Sequence, residues 1–355
     1  MWTSPSAELQ YDLLLELALS PLTESELMKE LLELQKLFTT ERKADFSQYH
    51  LDEKKVSSYF LFHFPSNLPK FDFLLDQLSP RAKEQLYQND FYDIGSGPGT
   101  YSFAFLRHAP KDYAGTVHLV DHSDLMLKQA RQLFTRAFPN QKIEYHQKFS
   151  KDLLQRKNST LFFGHSLNEM PTEVRRFYLN SFLGSMVLWI EPGTPAVFQT
   201  LMLERERLIS QGFMPLYPCA ANTACPALLR EGEWCHQVVK TQQPPWLERL
   251  SQKMQMDRRS LPMMAHIYSR ENERESSVTK KARLVRVKPA TKYSFEWEVC
   301  LLQEANLQWI KISLPFKKLS KSEVKSFEKI SVGVEIDLEF EKELQPDYFR
   351  VNLVR

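Results

Sequence analysis

The segment best suited to hold a ligand is Asp93-Ile94-Gly95-Ser96-Gly97-Pro98-Gly99, in which three glycines stand at alternate positions after an apolar run. Asp121 ends the next strand-like run, residues 116–120. Glycines let the backbone approach a ligand closely, and a carboxylate accepts hydrogen bonds from a ribose diol. The pattern therefore predicts a strand, a tight turn and a helix that together bind a nucleoside cofactor.

The glycine spacing indicates which cofactor. A dinucleotide-binding turn has the pattern G-x-G-x-x-G, whereas here the third glycine comes one residue earlier. An acid two residues before the first glycine suits a cofactor with a cationic amino-acid end. The pattern resembles motif I of the S-adenosylmethionine-dependent methyltransferases; the alternative is a glycine turn in an unrelated α/β protein. The predicted cofactor-binding residues are Asp93, Gly95, Ser96, Gly97, Gly99, Asp121 and His122.

The elements around this turn predict an α/β fold. Strand-like and helical patterns alternate over residues 89–215, which favours a parallel sheet with helices on both faces. We expect a Rossmann-like class I methyltransferase sheet, preceded by a helical region (residues 1–88). A cysteine-rich metal-binding segment (residues 216–270) and a small β-barrel-like domain (residues 271–355) follow it.

Two local assignments depend on helix-breaking and periodic patterns. Pro65 and Pro69 predict that a helix over residues 51–63 ends before them. Further along, the periodicity predicts a helix over residues 173–188 and a fifth strand over residues 196–201.

Polar side chains follow the predicted fourth strand, in Ser166-Leu167-Asn168-Glu169-Met170-Pro171. Ligands of parallel sheets bind beyond the carboxyl ends of the strands, and a methyltransferase meets its substrate there. Asn168 and Glu169 are therefore the candidate catalytic residues, which would orient the methyl acceptor. The alternative is that the segment simply caps the next helix.

The four cysteines are Cys219, Cys225, Cys235 and Cys300. Nothing indicates secretion, so we expect reduced thiols rather than disulfides. Clustered thiols in a proline-rich segment favour a metal site, although paired zinc knuckles are absent from the sequence. Thiolates suit zinc and iron–sulfur clusters alike, and four unrelated core cysteines are the remaining alternative.

Charge is balanced overall, with 46 basic and 44 acidic residues and a net charge of +2, but residues 280–292 contain six basic residues and no acid. This stripe predicts RNA contacts by Arg283, Arg286 and Lys288; a lysine-protected strand edge is an equal alternative. The sequence lacks a membrane-length apolar run and a visible transit peptide. We expect a cytoplasmic rather than mitochondrial protein, monomeric, with no membrane or DNA partner.

Several segments carry a resemblance to the methyltransferase-like family of the mitochondrial small ribosomal subunit and its bacterial relatives. They are residues 58–65, 93–99, 166–171 and 190–195, the cysteines with their neighbouring residues, and the strand around Cys300. The resemblance implies a four-iron, four-sulfur (4Fe–4S) cluster on the four cysteines and a role in small-subunit biogenesis. At the first ligand the family has Cys-Pro-His, whereas this chain has Cys219-Ala220-Ala221.

The sequence thus predicts an S-adenosylmethionine-binding iron–sulfur protein that acts on the small ribosomal subunit, with methylation of its RNA as the activity. One alternative is an assembly factor that binds this RNA without catalysis. A second is a zinc-containing methyltransferase of small molecules.

Overall fold

The chain folds into two units. The computed structural model describes residues 10–39, 52–271, 280–303 and 306–354. Unit 1 consists of residues 1–187 and 241–261, and unit 2 of residues 188–240 and 262–355. Within the described ranges, none of the helices combines the length and the apolar character that a membrane span requires.

Unit 1 begins with four helices and continues with alternating strands and helices. The helices are α1 (Tyr11–Leu17), α2 (Glu24–Thr39), α3 (Glu53–Asp76), α4 (Pro80–Gln88), α5 (Thr100–His108), α6 (Asp124–Ala137), α7 (Lys151–Leu154) and α8 (Thr172–Ser181). The strands are β1 (Asp90–Ile94), β2 (Val117–Val120), β3 (Ile143–His146) and β4 (Ser159–Gly164).

The sheet of unit 1 is parallel and has the order β3-β2-β1-β4. Every residue of β2 is buried, as expected for an inner strand covered on both faces. The order reverses between β1 and β4, so the carboxyl end of β1 lies at the point where such sheets bind ligands. The predicted Rossmann-like fold is confirmed.

Helix α3 corrects one prediction. It runs without a break through Pro65 and Pro69, whereas we expected the prolines to end it; Leu51, the expected start, lies outside the described residues. An internal proline costs about 3 kcal/mol. Fifteen residues of α3 are buried, and each large apolar side chain among them contributes roughly 1.5–3 kcal/mol. Burial therefore outweighs the two lost hydrogen bonds.

The fifth strand is also corrected. It is β5 (Met186–Pro192), and residues 196–201 lie in helix α9 (Pro195–Ser210). The apolar run of β5 has no period that distinguishes a buried strand from a buried helix. Thr194 Oγ1 accepts a hydrogen bond from the Val197 amide at 3.4 Å, and Pro195 occupies the first helical position, which together start α9.

Unit 2 contains a small sheet and a closed barrel. The strands of the small sheet are β6 (Met214–Tyr217), β7 (Gln237–Lys240) and β8 (Ser260–Ser269), together with β5. Their order is β5-β8-β6; β6 pairs antiparallel with β8, and β7 also pairs with β8. Helix α10 (Pro245–Lys253) belongs to unit 1 and α11 (Lys321–Phe327) to unit 2. The barrel strands are β9 (Lys280–Val287), β10 (Ser294–Gln303), β11 (Asn306–Pro315), β12 (Glu335–Gln345) and β13 (Tyr348–Leu353).

The barrel closes in the order β10-β11-β13-β12-β9. Its strands pair antiparallel except β11 with β13. Apolar side chains such as Trp297, Ile312 and Val351 fill the interior. The predicted small C-terminal β-structure is confirmed.

Candidate functional site

The glycine turn joins β1 to α5 and requires left-handed backbone. Gly95, Gly97 and Gly99 have φ of +71°, +53° and +82°. A Cβ on Gly99 would lie 2.4 Å from the Phe134 ring, so this glycine is required by packing. A Cβ on Gly97 would meet no atom within 4 Å, so the backbone at Gly97 borders open space where a ligand can approach.

Asp93 lies fully buried below this turn. Its Oδ2 accepts hydrogen bonds from the Ser102 amide at 3.2 Å and the Ser102 hydroxyl at 2.7 Å. Its Oδ1 is buried and has no hydrogen-bond partner among the described residues. Burial raises the pKa of Asp93 to about 7, and the negative charge of Asp121 adds to the rise. A cationic donor from a ligand would satisfy Oδ1 and favour the ionised form.

Asp121 follows β2 and holds the turn from the other side. Its Oδ2 accepts from the Gly97 amide at 2.8 Å, and its Oδ1 accepts from the Ser123 amide at 2.9 Å. A carboxylate has about four acceptor positions, so roughly two remain for a ribose diol. Ser96 is buried with its hydroxyl unpartnered among the described residues, whereas His122 is exposed, with Nδ1 3.6 Å from Asp121 Oδ1.

The segment after β4 packs against the same turn. The Ser166 hydroxyl donates to the Ile94 carbonyl at the end of β1, and a Cβ on Gly95 would lie 2.4 Å from that of Ser166. Asn168 is half-buried and Glu169 is exposed. Burial raises the pKa of Tyr59, and the charges of Glu169 and Asp121 raise it further, which places this ring near both acids. The structure therefore brings the predicted cofactor and acceptor residues together.

The sequence reasoning missed a group of basic side chains in unit 1. Lys70 is buried and its Nζ lies 2.8 Å from His165 Nε2, while Arg258 Nη2 lies 3.4 Å from His63 Nδ1. Burial, helped by the two cations, lowers the pKa of both histidines well below the usual value. His165 follows β4 directly and has a φ of +57°. The only sign of this basic group in the sequence was a lysine between Pro69 and Phe71, within an otherwise apolar segment.

The four cysteines converge in unit 2. One pocket is lined by all of them, together with one buried arginine and aromatic side chains. Its lining includes Cys219, Cys225, Cys235, Cys300, His266, Arg283 and Trp309. Three of the thiols come from the loops that surround the single-turn helix Pro226–Leu229, and the fourth comes from barrel strand β10.

Electrostatics agree with this convergence. Burial raises the pKa of Cys225 to about 11, and the neighbouring Cys219 adds to the rise. Burial likewise raises the pKa of Cys235, with further contributions from the other three thiols. Arg205 is buried nearby and donates to the carbonyls of Ala221 at 3.0 Å and Thr223 at 2.8 Å. Burial raises the pKa of Cys300 as well, so three of the thiols are costly to ionise alone. All four share a pocket with the guanidinium of Arg283, an arrangement that suits thiolate ligands of a metal.

The three predicted RNA-contacting residues differ in exposure. Arg283 is buried and donates to the carbonyls of Pro218 and Gly333, both at 2.7 Å, and to Glu335 at 2.5 Å. Arg283 therefore supports the loop that carries Cys219 and presents little surface to a ligand. The side chains of Arg286 and Lys288 are 40% and 39% exposed, and both pair with Glu298.

A parallel sheet with a glycine turn after β1 and an acid after β2 defines a Rossmann-like methyltransferase domain. The chain belongs to the family described as mitochondrial small ribosomal subunit Rsm22, which matches residues 53–310. A search of curated proteins gave no significant match.

Solved structures of methyltransferases are similar to parts of the chain. Magnesium protoporphyrin IX methyltransferase from Synechocystis, solved with S-adenosylhomocysteine, has 14% identity and a TM-score of 0.34 over 68% of this chain and 100% of its own. An O-methyltransferase family protein from Burkholderia thailandensis has 13% identity and a TM-score of 0.37 over 76% and 72%. At such scores the strand order and the turn, not these neighbours, define the fold class.

Proposed function

We propose that this chain is an S-adenosylmethionine-dependent methyltransferase-like iron–sulfur protein that acts on the small ribosomal subunit by methylating its RNA. The observation that carries the proposal is the glycine turn above the unpartnered Asp93 Oδ1, in a chain whose family is named for the small ribosomal subunit. The family name supports the partner, and the turn supports the cofactor.

The residues of the turn fit the cofactor on two counts. The open space at Gly97 admits a ligand against the backbone, and the buried Asp93 Oδ1 can accept a hydrogen bond from an ammonium group. Asp121 would accept from the ribose, with Ser96 and His122 beside it. When bound, the cofactor would supply an electrophilic methyl group on a positively charged sulfur, and that sulfur would leave as the neutral sulfide of S-adenosylhomocysteine.

The protein's part in such a reaction is to position the acceptor. We propose that Asn168 and Glu169 orient it at the carboxyl end of β4. Lys70 and Arg258 supply positive charge in the same unit, which favours a phosphate-bearing acceptor. Arg286 and Lys288 keep 40% and 39% of their side chains exposed, and we propose that they contact RNA phosphates.

We further propose that the four cysteines hold a 4Fe–4S cluster. A mononuclear zinc site with four thiolates needs sulfur atoms about 3.8 Å apart, because each Zn–S bond is about 2.3 Å. Among the described residues, the only group of three potential metal ligands whose atoms all lie within 4.8 Å of one another is in unit 1 and contains no cysteine. The sulfur atoms of these four thiols are therefore more widely spaced than a zinc site requires. A wider spacing suits a cluster. The cluster would tie the loops that carry Cys219, Cys225 and Cys235 to barrel strand β10.

The second candidate is an RNA-binding assembly factor without catalysis. It is favoured by the low pKa of His63 and His165, because such imidazoles are weak general bases. The same turn would then bind the cofactor as a structural ligand.

One experiment separates these functions. The full chain is incubated with purified small subunits, or with their RNA, and S-adenosylmethionine carrying a radioactive methyl group. Methyl transfer predicts label in the RNA, lost in Gly97→Ala while binding to the subunit persists. Subunit binding without label, in both proteins, supports the assembly factor. No RNA affinity, together with one zinc per chain that is lost in Cys300→Ser, supports a small-molecule enzyme.

The compartment and the oligomeric state belong to the same proposal. We propose a monomer in the cytoplasm, although the family is described as mitochondrial. Fractionation of cells with an antibody to the chain, and light scattering of the purified protein, test these two points.

A further inference from the structure

A second constellation of possible ligands lies on the edge of the sheet in unit 1. β2 and β3 are parallel, and His118 stands opposite Glu144 while Val120 stands opposite His146. Side chains two residues apart on a strand lie on the same face. His118, Glu144 and His146 are therefore brought to one face by strand register alone.

The three ligand atoms form a nearly regular triangle. His118 Nδ1 lies 3.1 Å from His146 Nε2 and 3.3 Å from Glu144 Oε2, and the last two atoms are 3.7 Å apart. In a tetrahedral zinc site with bonds of about 2.1 Å, two ligand atoms are separated by about 3.4 Å. The triangle thus has the size of one face of a zinc tetrahedron without any rearrangement.

From this geometry, we propose that His118, Glu144 and His146 bind a divalent transition metal, with zinc as the best match. Two imidazoles and one carboxylate are a common set of protein ligands for zinc. The side chain of His118 is 1% exposed, that of His146 21% and that of Glu144 42%, so the fourth position faces solvent. Lys142 Nζ, 3.8 Å from the other oxygen of Glu144, does not occupy the triangle.

The affinity will be moderate. A histidine ligand usually donates its second ring N–H to an acceptor, and the loss of such a partner weakens binding about 10–100-fold. His118 Nε2 is buried and lacks a hydrogen-bond partner within the described part of the chain. The site should therefore exchange its metal, in contrast to a closed structural site.

The metal would also stabilise the cofactor side of the sheet. The His146 carbonyl accepts a hydrogen bond from the Asp121 amide at 3.0 Å. A metal that fixes His146 therefore fixes edge strand β3 one hydrogen bond away from the proposed ribose-binding acid.

Zinc titration of the full chain tests the proposal. After removal of loosely bound metal with a chelator, zinc is added and the bound zinc per chain is measured by mass spectrometry of the metal. We expect the wild type to bind one zinc more than Glu144→Gln or His146→Gln. His108→Gln, which removes an exposed histidine from the same unit, should bind as much as the wild type.

Cobalt separates this site from the cysteines. Cobalt at the triangle gives ligand-field absorption without sulfur-to-metal charge transfer, because no thiolate is present. Zinc should also raise the melting temperature of the wild type more than that of either ligand variant, since it binds only the folded site. Equal zinc content and equal zinc-dependent melting shifts in the wild type and both variants would overturn the proposal.

Discussion

Substitution of Gly97 by alanine tests the cofactor site with little damage to the fold. Alanine at a φ of +53° costs about 1–2 kcal/mol of backbone strain. The added methyl group meets no protein atom within 4 Å, so packing adds no further cost. The same methyl group projects into the space that the cofactor needs. We expect the affinity for S-adenosylhomocysteine to fall by about tenfold or more, which corresponds to at least ~1.4 kcal/mol.

Gly99→Ala is the matched control, because the same methyl group falls on packed protein. Its Cβ would lie 2.4 Å from Phe134 and 2.8 Å from Leu119. Overpacking adds roughly 1–3 kcal/mol to a similar backbone strain. Calorimetric titration and thermal unfolding, monitored by circular dichroism, should show lost binding with a small drop in melting temperature for Gly97→Ala, and a larger drop for Gly99→Ala. Undiminished binding by Gly97→Ala would refute the assignment of the turn.

Three other perturbations give separate readouts. The pKa of Asp93 is about 7 in the folded chain, whereas the usual value is 3.8. The protonated carboxyl therefore contributes its full stabilisation of the fold below pH 3.8, and this contribution is lost as the pH rises through about 7. The difference in the free energy of unfolding between Asp93→Asn and the wild type should therefore change by roughly 4 kcal/mol in favour of the variant as the pH rises from 4 to 8. Urea unfolding at several pH values measures this difference, and a difference that does not change with pH would contradict the reasoning. Arg205→Lys leaves at least one buried carbonyl of the cysteine loop unpaired, at a cost of about 1–3 kcal/mol. This variant should therefore contain less iron than the wild type, whereas the control Arg207→Lys on the same helix should contain as much. Lys70→Met should raise the KM for RNA and leave the affinity for S-adenosylhomocysteine unchanged; equal loss of both would indicate a purely structural lysine.

The sequence was sufficient for features that rest on local chemistry. Glycines followed by an acid at the end of the next strand predicted the turn, because few other residues permit that backbone. The β-rich runs near the end of the chain predicted a small β-barrel-like domain, although no run was recognised over the last strand, β13. The convergence of Cys300 with the other thiols could be expected only through the family resemblance, since it depends on barrel closure.

Features that depend on tertiary packing were missed. Nothing in the local pattern shows that α3 continues through Pro65 and Pro69, because its stabilising contacts come from distant elements. The buried Lys70 and the half-buried Arg258 belong to segments far apart in sequence, and so do His118 and Glu144. The burial of Arg283 was hidden for the same reason, because its acceptors lie in two separate loops.

The metal content of the full chain, purified without oxygen, tests the central claim most directly. Iron, acid-labile sulfide and zinc are measured per chain, together with the visible absorption spectrum, for the wild type and for Cys300→Ser. The account predicts about four irons and four sulfides in the wild type, with a large loss in the variant. Zinc at the cysteines in place of iron, or iron content unaffected by Cys300→Ser, would contradict it.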